Sequence, residues 1–365
     1  MRNGGDGQLS SPAVCFVGAG MAAELHHRAA AVGGHVALAG IVEPRDDLAR
    51  RRADEWGVTR YPSLGEALAD DAVQAVFVLS PPEAHEDAAL AALRAGRPVF
   101  VEKPVAEPDG IARIDAEASR RGLVCMPGHN YAYQPEFAAL RRLVRTGDLG
   151  RIRAAWITYV IRHPEEVARH YGGVLEEVMI HHTYLALALF GLPRMVFAGC
   201  MEPAWRAHPA ADQAWMTWHY SGGLSVHHFA TFAVDDETSD PWMFVVKVLG
   251  ERGSATYNWR DSLFRRPLGS LSFAIPAYED SYIHEQQAFA AAVAGRPEAV
   301  ISDLADARRA ALVLRAARDA DIKQAGVAVS PPSGDASSAV SPPPDHASSA
   351  VSPPSGDAGS AAAEG

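Results

Sequence analysis

The chain has 365 residues, 48% of them hydrophobic and 21% charged, which is enough to bury a sizeable core and long enough for two domains. Its formal net charge of −11 opposes broad attraction to phosphate backbones or anionic lipid, so nucleic acid is not an expected partner. No apolar run approaches the length of a membrane span, and residues 1–11 are polar and glycine-rich without a signal-like apolar region, so the expectation is a cytoplasmic protein with no membrane partner.

In chain order, a disordered start (1–11) precedes short apolar runs at 14–17, 36–42, 73–79, 99–101 and 123–125, which alternate with helical stretches. That alternation predicts an α/β fold over 12–128, a Rossmann doubly wound parallel sheet covered by helices on both faces. Ser63 followed by Glu66 fits a capping box opening a short helix before Val73. After Gly128 the pattern changes to an α+β domain over 129–329, beginning with a helix at 135–146 that Gly147 stops. Strands are expected at 153–162, 215–220, 224–232, 243–249 and 254–259, where aromatic and β-branched residues partly alternate with polar ones. Ser221-Gly222-Gly223 and Glu251-Arg252-Gly253 supply tight turns, so the expected sheet is an open, mostly antiparallel meander. Helices return near 278–294 and 303–320. Residues 328–338, 339–349 and 350–360 are near-copies of AVSPPSGDASS, too polar and proline-rich to pack, and 330–365 is expected to be a disordered tail. Cys15, Cys125 and Cys200 each sit in apolar stretches and suit reduced thiols.

The first strand runs into Gly18-Ala19-Gly20-Met21-Ala22-Ala23 and an alanine-rich helix. Gly18 permits a tight turn, Gly20 lets the backbone approach a pyrophosphate, and Ala23 lets helix and strand pack closely; a purely structural turn is the alternative. Glu43 ends the second strand where an acid accepts hydrogen bonds from an adenosine ribose, which favours NAD over NADP, although Arg45 nearby offsets the repulsion of a 2′-phosphate; a solvated charge is the alternative. Ser80-Pro81-Pro82 and Glu102-Lys103-Pro104 both follow parallel strands at the carboxyl ends that open onto a ligand crevice. Lys103 beside a cationic nicotinamide should lose some proton affinity, which suits a group that binds or helps deprotonate an alcohol. Farther on, Gly172-Gly173 opens a helix on which Glu177 and His181 stand four apart, so both project from one face. A carboxylate so placed orients an imidazole that trades protons near neutral pH, unless the two are only a surface pair. His182, His227 and His228 are adjacent rather than convergent, so no metal site is expected.

Together these pieces resemble the Gfo/Idh/MocA family of oxidoreductases. The resemblance runs from about residue 14 to 329 and rests on GAGMAA (18–23), SPPEAH (80–85), AGRPVFVEKPVA (95–106), the stretch 128–150, GGVLEEVMIHH and YIHEQQAFAAAVAG (282–295). It implies hydride transfer between nicotinamide and a hydroxyl carbon, usually of a sugar or cyclitol, and a homo-oligomer formed through the second domain's sheet. Carried over, Lys103 polarises the reacting hydroxyl, His181 is the acid/base and Glu177 its paired carboxylate. Cofactor contacts fall on Gly18, Gly20, Met21, Ala22, Glu43, Ser80, Pro81, His85, Glu102 and Lys103, and substrate contacts on Lys103, Asn130, Tyr131, Tyr171, His181 and Tyr184. The sequence departs from the family pattern with Glu177 and Tyr184 where Asp is usual and Ala132 where Arg is frequent, and the aromatic residues suggest a less polar or glycosylated substrate. An imine or carbonyl reductase and a non-catalytic NAD(H)-sensing protein are the alternatives.

Overall fold

A computed structural model describes residues 11–163, 165–168, 171–201, 203, 210–233, 242–258 and 274–331. Residues 1–10 of the expected disordered start, Trp259 and residues 332–365 of the repeat tail lie outside the described residues.

The amino-terminal half runs β1 (Ala13–Val17), α1 (Met21–Gly33), β2 (Ala37–Val42), α2 (Asp46–Trp56), β3 (Thr59–Tyr61), α3 (Leu64–Ala69), β4 (Ala75–Val78), α4 (His85–Arg94), β5 (Val99–Val101), α5 (Pro108–Arg121) and β6 (Cys125–Pro127). Its sheet has the order β3-β2-β1-β4-β5-β6 with every pairing parallel. The strand order reverses between β1 and β4, which opens the ligand crevice at their carboxyl ends. Strands β4 and β5 are buried at every position, because helices cover both faces of the sheet. The Ser63 hydroxyl accepts the Glu66 N–H at the start of α3.

The second half runs α6 (Pro135–Arg145), β7 (Ile152–Ile161), α7 (Glu165–Ala168), a single π-helical turn (Leu175–Met179), α8 (Ile180–Phe190), β8 (Met195–Met201), β9 (Gln213–His219), β10 (Ser225–Thr231), β11 (Trp242–Gly250), β12 (Gly253–Asn258), α9 (Ala274–Val293), α10 (Leu304–Lys323) and β13 (Val327–Ala328). Its sheet order is β12-β11-β7-β10-β9-β8-β13. The expected meander is corrected here: β10 lies parallel to β7, so the two expected turns close the β9–β10 and β11–β12 hairpins, while β7 enters between them. Three strands were not expected. β3 and β13 are only a few residues long, and β8 carries in its middle Gly199, whose missing side chain leaves room for the Trp215 indole.

On one face of this sheet Ala155, Ile157, Met216, Trp218 and Val226 are buried, while α8 and α10 supply buried residues to the same core. The other face carries Trp156, Trp215, Phe229 and His227, with Trp156 39% and Trp215 41% exposed. Helix α9 then returns to the first half. Phe289 packs edge-on against Phe77 and Phe100, and Gln286 Nε2 donates to the His26 carbonyl at 2.8 Å.

Candidate active site

The crevice at the β1–β4 reversal is shaped by missing atoms. Gly18 sits at φ +102°, and a Cβ there would lie 2.7 Å from the Leu79 carbonyl oxygen and 2.8 Å from the Ser80 nitrogen. Gly20 caps α1 and has open space where its Cβ would be; exposed Met21 and half-buried Ala22 begin its first turn. The free N–H groups of that turn and the helix dipole suit a pyrophosphate. Glu43, 7% exposed at the end of β2, accepts the Ala19 N–H at 3.0 Å and the exposed Arg45 side chain at 2.8 Å. Burial pushes its carboxyl up, but bonds from the Arg45 side chain and from the backbone N–H groups of Arg45 and Ala19 outweigh this and hold it ionised, ready for ribose hydroxyls. Ser80 Oγ is buried without a hydrogen-bond partner among the described residues, an unspent polar group at the crevice. These features fit a dinucleotide.

His85, expected at the cofactor, is 1% exposed, with its ring nitrogens 2.7 Å from the Ser80 carbonyl oxygen and 2.9 Å from that of Pro104. It ties together the loops that carry Ser80-Pro81 and Glu102-Lys103.

Lys103 reaches across from β5. Its Nζ donates to Glu177 Oε2 at 2.9 Å and to the Glu177 carbonyl oxygen at 3.3 Å. This corrects the expected dyad: Glu177 pairs with Lys103 rather than with His181. Glu177 lies on the π-helical turn Leu175–Met179, and both its carboxylate and its backbone carbonyl are taken up by Lys103 Nζ. The expected loss of proton affinity at Lys103 is an effect of a nicotinamide beside it, and the protein's own groups act the other way. Burial disfavours the ammonium, but the carboxylates of Glu177 and Glu102 outweigh burial and raise its affinity, so the protein alone keeps the lysine charged.

His181, 8% exposed on the first turn of α8, stacks on Tyr131 with ring centroids 4.1 Å apart. Its Nδ1 is 2.7 Å from the Tyr184 hydroxyl, and Nε2 has no partner among the described residues. Burial, and then the Lys103 charge, push its pKa well below the ordinary value, so the ring is neutral. Asn130 and Tyr184, expected to touch substrate, are 3% and 2% exposed and bond to each other behind His181. Tyr171 stands edge-on to His163 and Phe232, at 5.5 and 5.3 Å.

Sequence reasoning named Glu102 only as a cofactor contact and missed His26 and Glu285 in the layer underneath. Glu102 Oε2 accepts the Lys103 N–H at 2.8 Å, and Glu102 Oε1 lies 3.2 Å from His26 Nε2. Glu285 from α9 faces the same histidine at 3.9 Å, both its oxygens buried and without hydrogen bonds among the described residues. Glu285 sits inside a motif that carries the resemblance and His26 three residues past another, but a buried partner hundreds of residues away leaves no spacing to read. His182 and His228 stack 6.0 Å apart in the core, with all four ring nitrogens lacking a hydrogen-bond partner among the described residues.

A parallel sheet with a glycine-shaped nucleotide crevice, facing a lysine and a neutral histidine supplied by different domains, defines a two-domain NAD-binding oxidoreductase. Residues 13–129 match "Oxidoreductase family, NAD-binding Rossmann fold" and residues 137–256 match the "GFO/IDH/MocA C-terminal domain". The chain belongs to the Gfo/Idh/MocA oxidoreductases. It is 23% identical over 279 residues to scyllo-inositol 2-dehydrogenase (NAD(+)) of Bacillus subtilis, covering 72% of this chain and 80% of that one. It is 36% identical over 146 residues to inositol 2-dehydrogenase of Streptomyces avermitilis, a match that spans 38% of this chain and 41% of that one. Among solved structures, GenD2 from gentamicin A biosynthesis in complex with NAD superposes with a TM-score of 0.78 at 23% identity, covering 88% of this chain and 97% of that one. No helix among the described residues is long and apolar enough to cross a membrane.

Proposed function

We propose that the chain interconverts an alcohol and a ketone on a sugar, cyclitol or modified sugar, using NAD. The observation that carries this reading is the Lys103 ammonium, held by Glu177 on the turn that leads into His181. When bound, NAD supplies the hydride acceptor. In the oxidation direction His181 Nε2 takes the hydroxyl proton, and Lys103 donates to the oxygen and steadies its developing charge. Glu177 positions the ammonium. Glu43 favours NAD over NADP, since a carboxylate repels a 2′-phosphate. The half-buried Tyr171, packed on Phe232, favours a substrate with an apolar or modified face over a small free polyol. The partial likeness to inositol dehydrogenases and to a protein of gentamicin A biosynthesis supports this class of substrate. The test is a panel of cyclitols, free sugars and glycosylated or amino sugars, assayed by NADH fluorescence. Turnover of none of them, with NADH bound tightly, would leave a cofactor-sensing protein instead.

The exposed face of the second sheet, with Trp156, Trp215 and Phe229 side by side, is the proposed homo-oligomer interface. Three unpaired cysteines fit the reducing cytoplasm, where we place the protein.

A further inference from the structure

Behind His181 runs a chain of buried hydrogen bonds whose direction is fixed from its far end. The Tyr278 carbonyl oxygen can only accept, and Ser281 Oγ donates to it at 2.6 Å. Ser281 Oγ therefore has only lone pairs left for Asn130, whose Nδ2 donates to it at 2.7 Å. The opposite amide orientation would set two acceptors face to face. With Nδ2 so placed, Asn130 Oδ1 needs a donor, and the Tyr184 hydroxyl supplies one at 3.3 Å. Having spent its single proton, Tyr184 Oη accepts from the Tyr131 N–H at 3.2 Å and faces His181 Nδ1 at 2.7 Å. A neutral imidazole carries one proton, and only Nδ1–H completes this chain.

We infer that Tyr184, Asn130 and Ser281 are positioning residues that lock His181 as the Nδ1–H tautomer, leaving the Nε2 lone pair free to receive a substrate proton. A hydroxyl relay here performs the orienting task that a carboxylate performs in other histidine bases, without placing a negative charge beside the ring. The inference rests on the reading of His181 as the proton acceptor. The reverse arrangement, Tyr184 donating to Nδ1, would strand the buried Asn130 oxygen and present Nε2–H, which cannot accept a proton. The titratable groups facing the ring are Lys103, His129 and His182, with Tyr131 and Tyr184 in contact. None is an anion, so nothing among them offsets the burial that keeps the resting imidazole neutral.

The test is nitrogen NMR of the full-length protein labelled at histidine, with NADH bound and the His181 signals assigned by their loss in His181→Asn. The expected spectrum has a protonated Nδ1 and an unprotonated Nε2 at neutral pH. A protonated Nε2, alone or as part of an imidazolium, overturns the inference. This readout needs no substrate, so it decides the relay even if the panel above shows no turnover. In Tyr184→Phe, which keeps the ring stacked 4.2 Å from His129, the tautomer preference should be lost. Once a substrate is in hand, kcat of that variant should fall at least about tenfold with KM little changed. The acidic limb of its pH profile should move to lower pH, because the imidazolium loses an acceptor. An unchanged tautomer, or unchanged kcat and pH profile, overturns the role of Tyr184.

Discussion

Removing the Lys103 amine should separate chemistry from cofactor binding. Lys103→Ala takes away the ammonium that Glu177 and Glu102 hold charged, and turnover should fall by about a hundredfold to ten-thousandfold while NADH still quenches tryptophan fluorescence. Undiminished turnover would remove Lys103 from the mechanism. The two crevice glycines should fail in different ways. Gly18→Ala forces a Cβ against the Leu79 carbonyl at an unfavourable φ, so the fold itself should lose about 1–3 kcal/mol and melt earlier. Gly20→Ala meets nothing in the protein and should melt normally, yet bind NADH more weakly because the Cβ occupies the space a pyrophosphate needs. Equal effects of the two on melting would show that the crevice is not shaped in this way.

At the scale of elements, α9 contributes an acid to the layer beneath the lysine. Burial, and then the Glu102 carboxylate, raise Glu285 well above its ordinary value of 4.5. The folded state thus holds a proton that the unfolded chain releases, so the stabilising contribution is complete below about pH 4.5 and is lost as pH rises through the raised value. Glu285→Gln cannot ionise. It should stabilise the fold at pH 8, by up to about 1.4 kcal/mol for each pH unit spanned and read as a higher melting temperature, and the gain should shrink toward pH 5. A variant whose gain does not depend on pH would show that Glu285 is ionised in the fold. Elements with a strong local signal were legible in the sequence: the apolar runs of β1, β4 and β5, the glycine turn after β1, and the β9–β10 and β11–β12 hairpins. The rest was hidden because its determinants are not local. No turn between β7 and β10 announces their parallel pairing, and an i,i+4 spacing within one helix cannot show that Lys103, 74 positions away, takes the Glu177 carboxylate. Tyr184 was legible as a departure from the family pattern, but its bond to His181 was not.

Across the whole molecule, buried neutral histidines should make the fold acid-sensitive. Burial lowers His129 and His182, 1% and 0% exposed, to about 3 from 6.5. Their contribution is present above pH 6.5 and is lost as pH falls toward the folded values, by about 1.4 kcal/mol per ring for each unit. Urea midpoints should therefore drop steeply between pH 7 and pH 5, and a flat profile would contradict neutral burial. The second sheet makes its own claim at this scale. Trp156→Arg together with Trp215→Arg changes two exposed side chains, so melting should hardly move while the mass measured by light scattering falls to that of one chain. An unchanged mass would place the contact between copies elsewhere.

The bond from Gln286 to His26 joins residues 260 positions apart, and Phe289 lies against the phenyl rings of β4 and β5. A growing polypeptide that has left the ribosome only as far as β6 therefore holds an incomplete nucleotide-binding half, with those rings still uncovered. Synthesis of most of the second half must intervene before the first can close, so the two mature together rather than in order of translation.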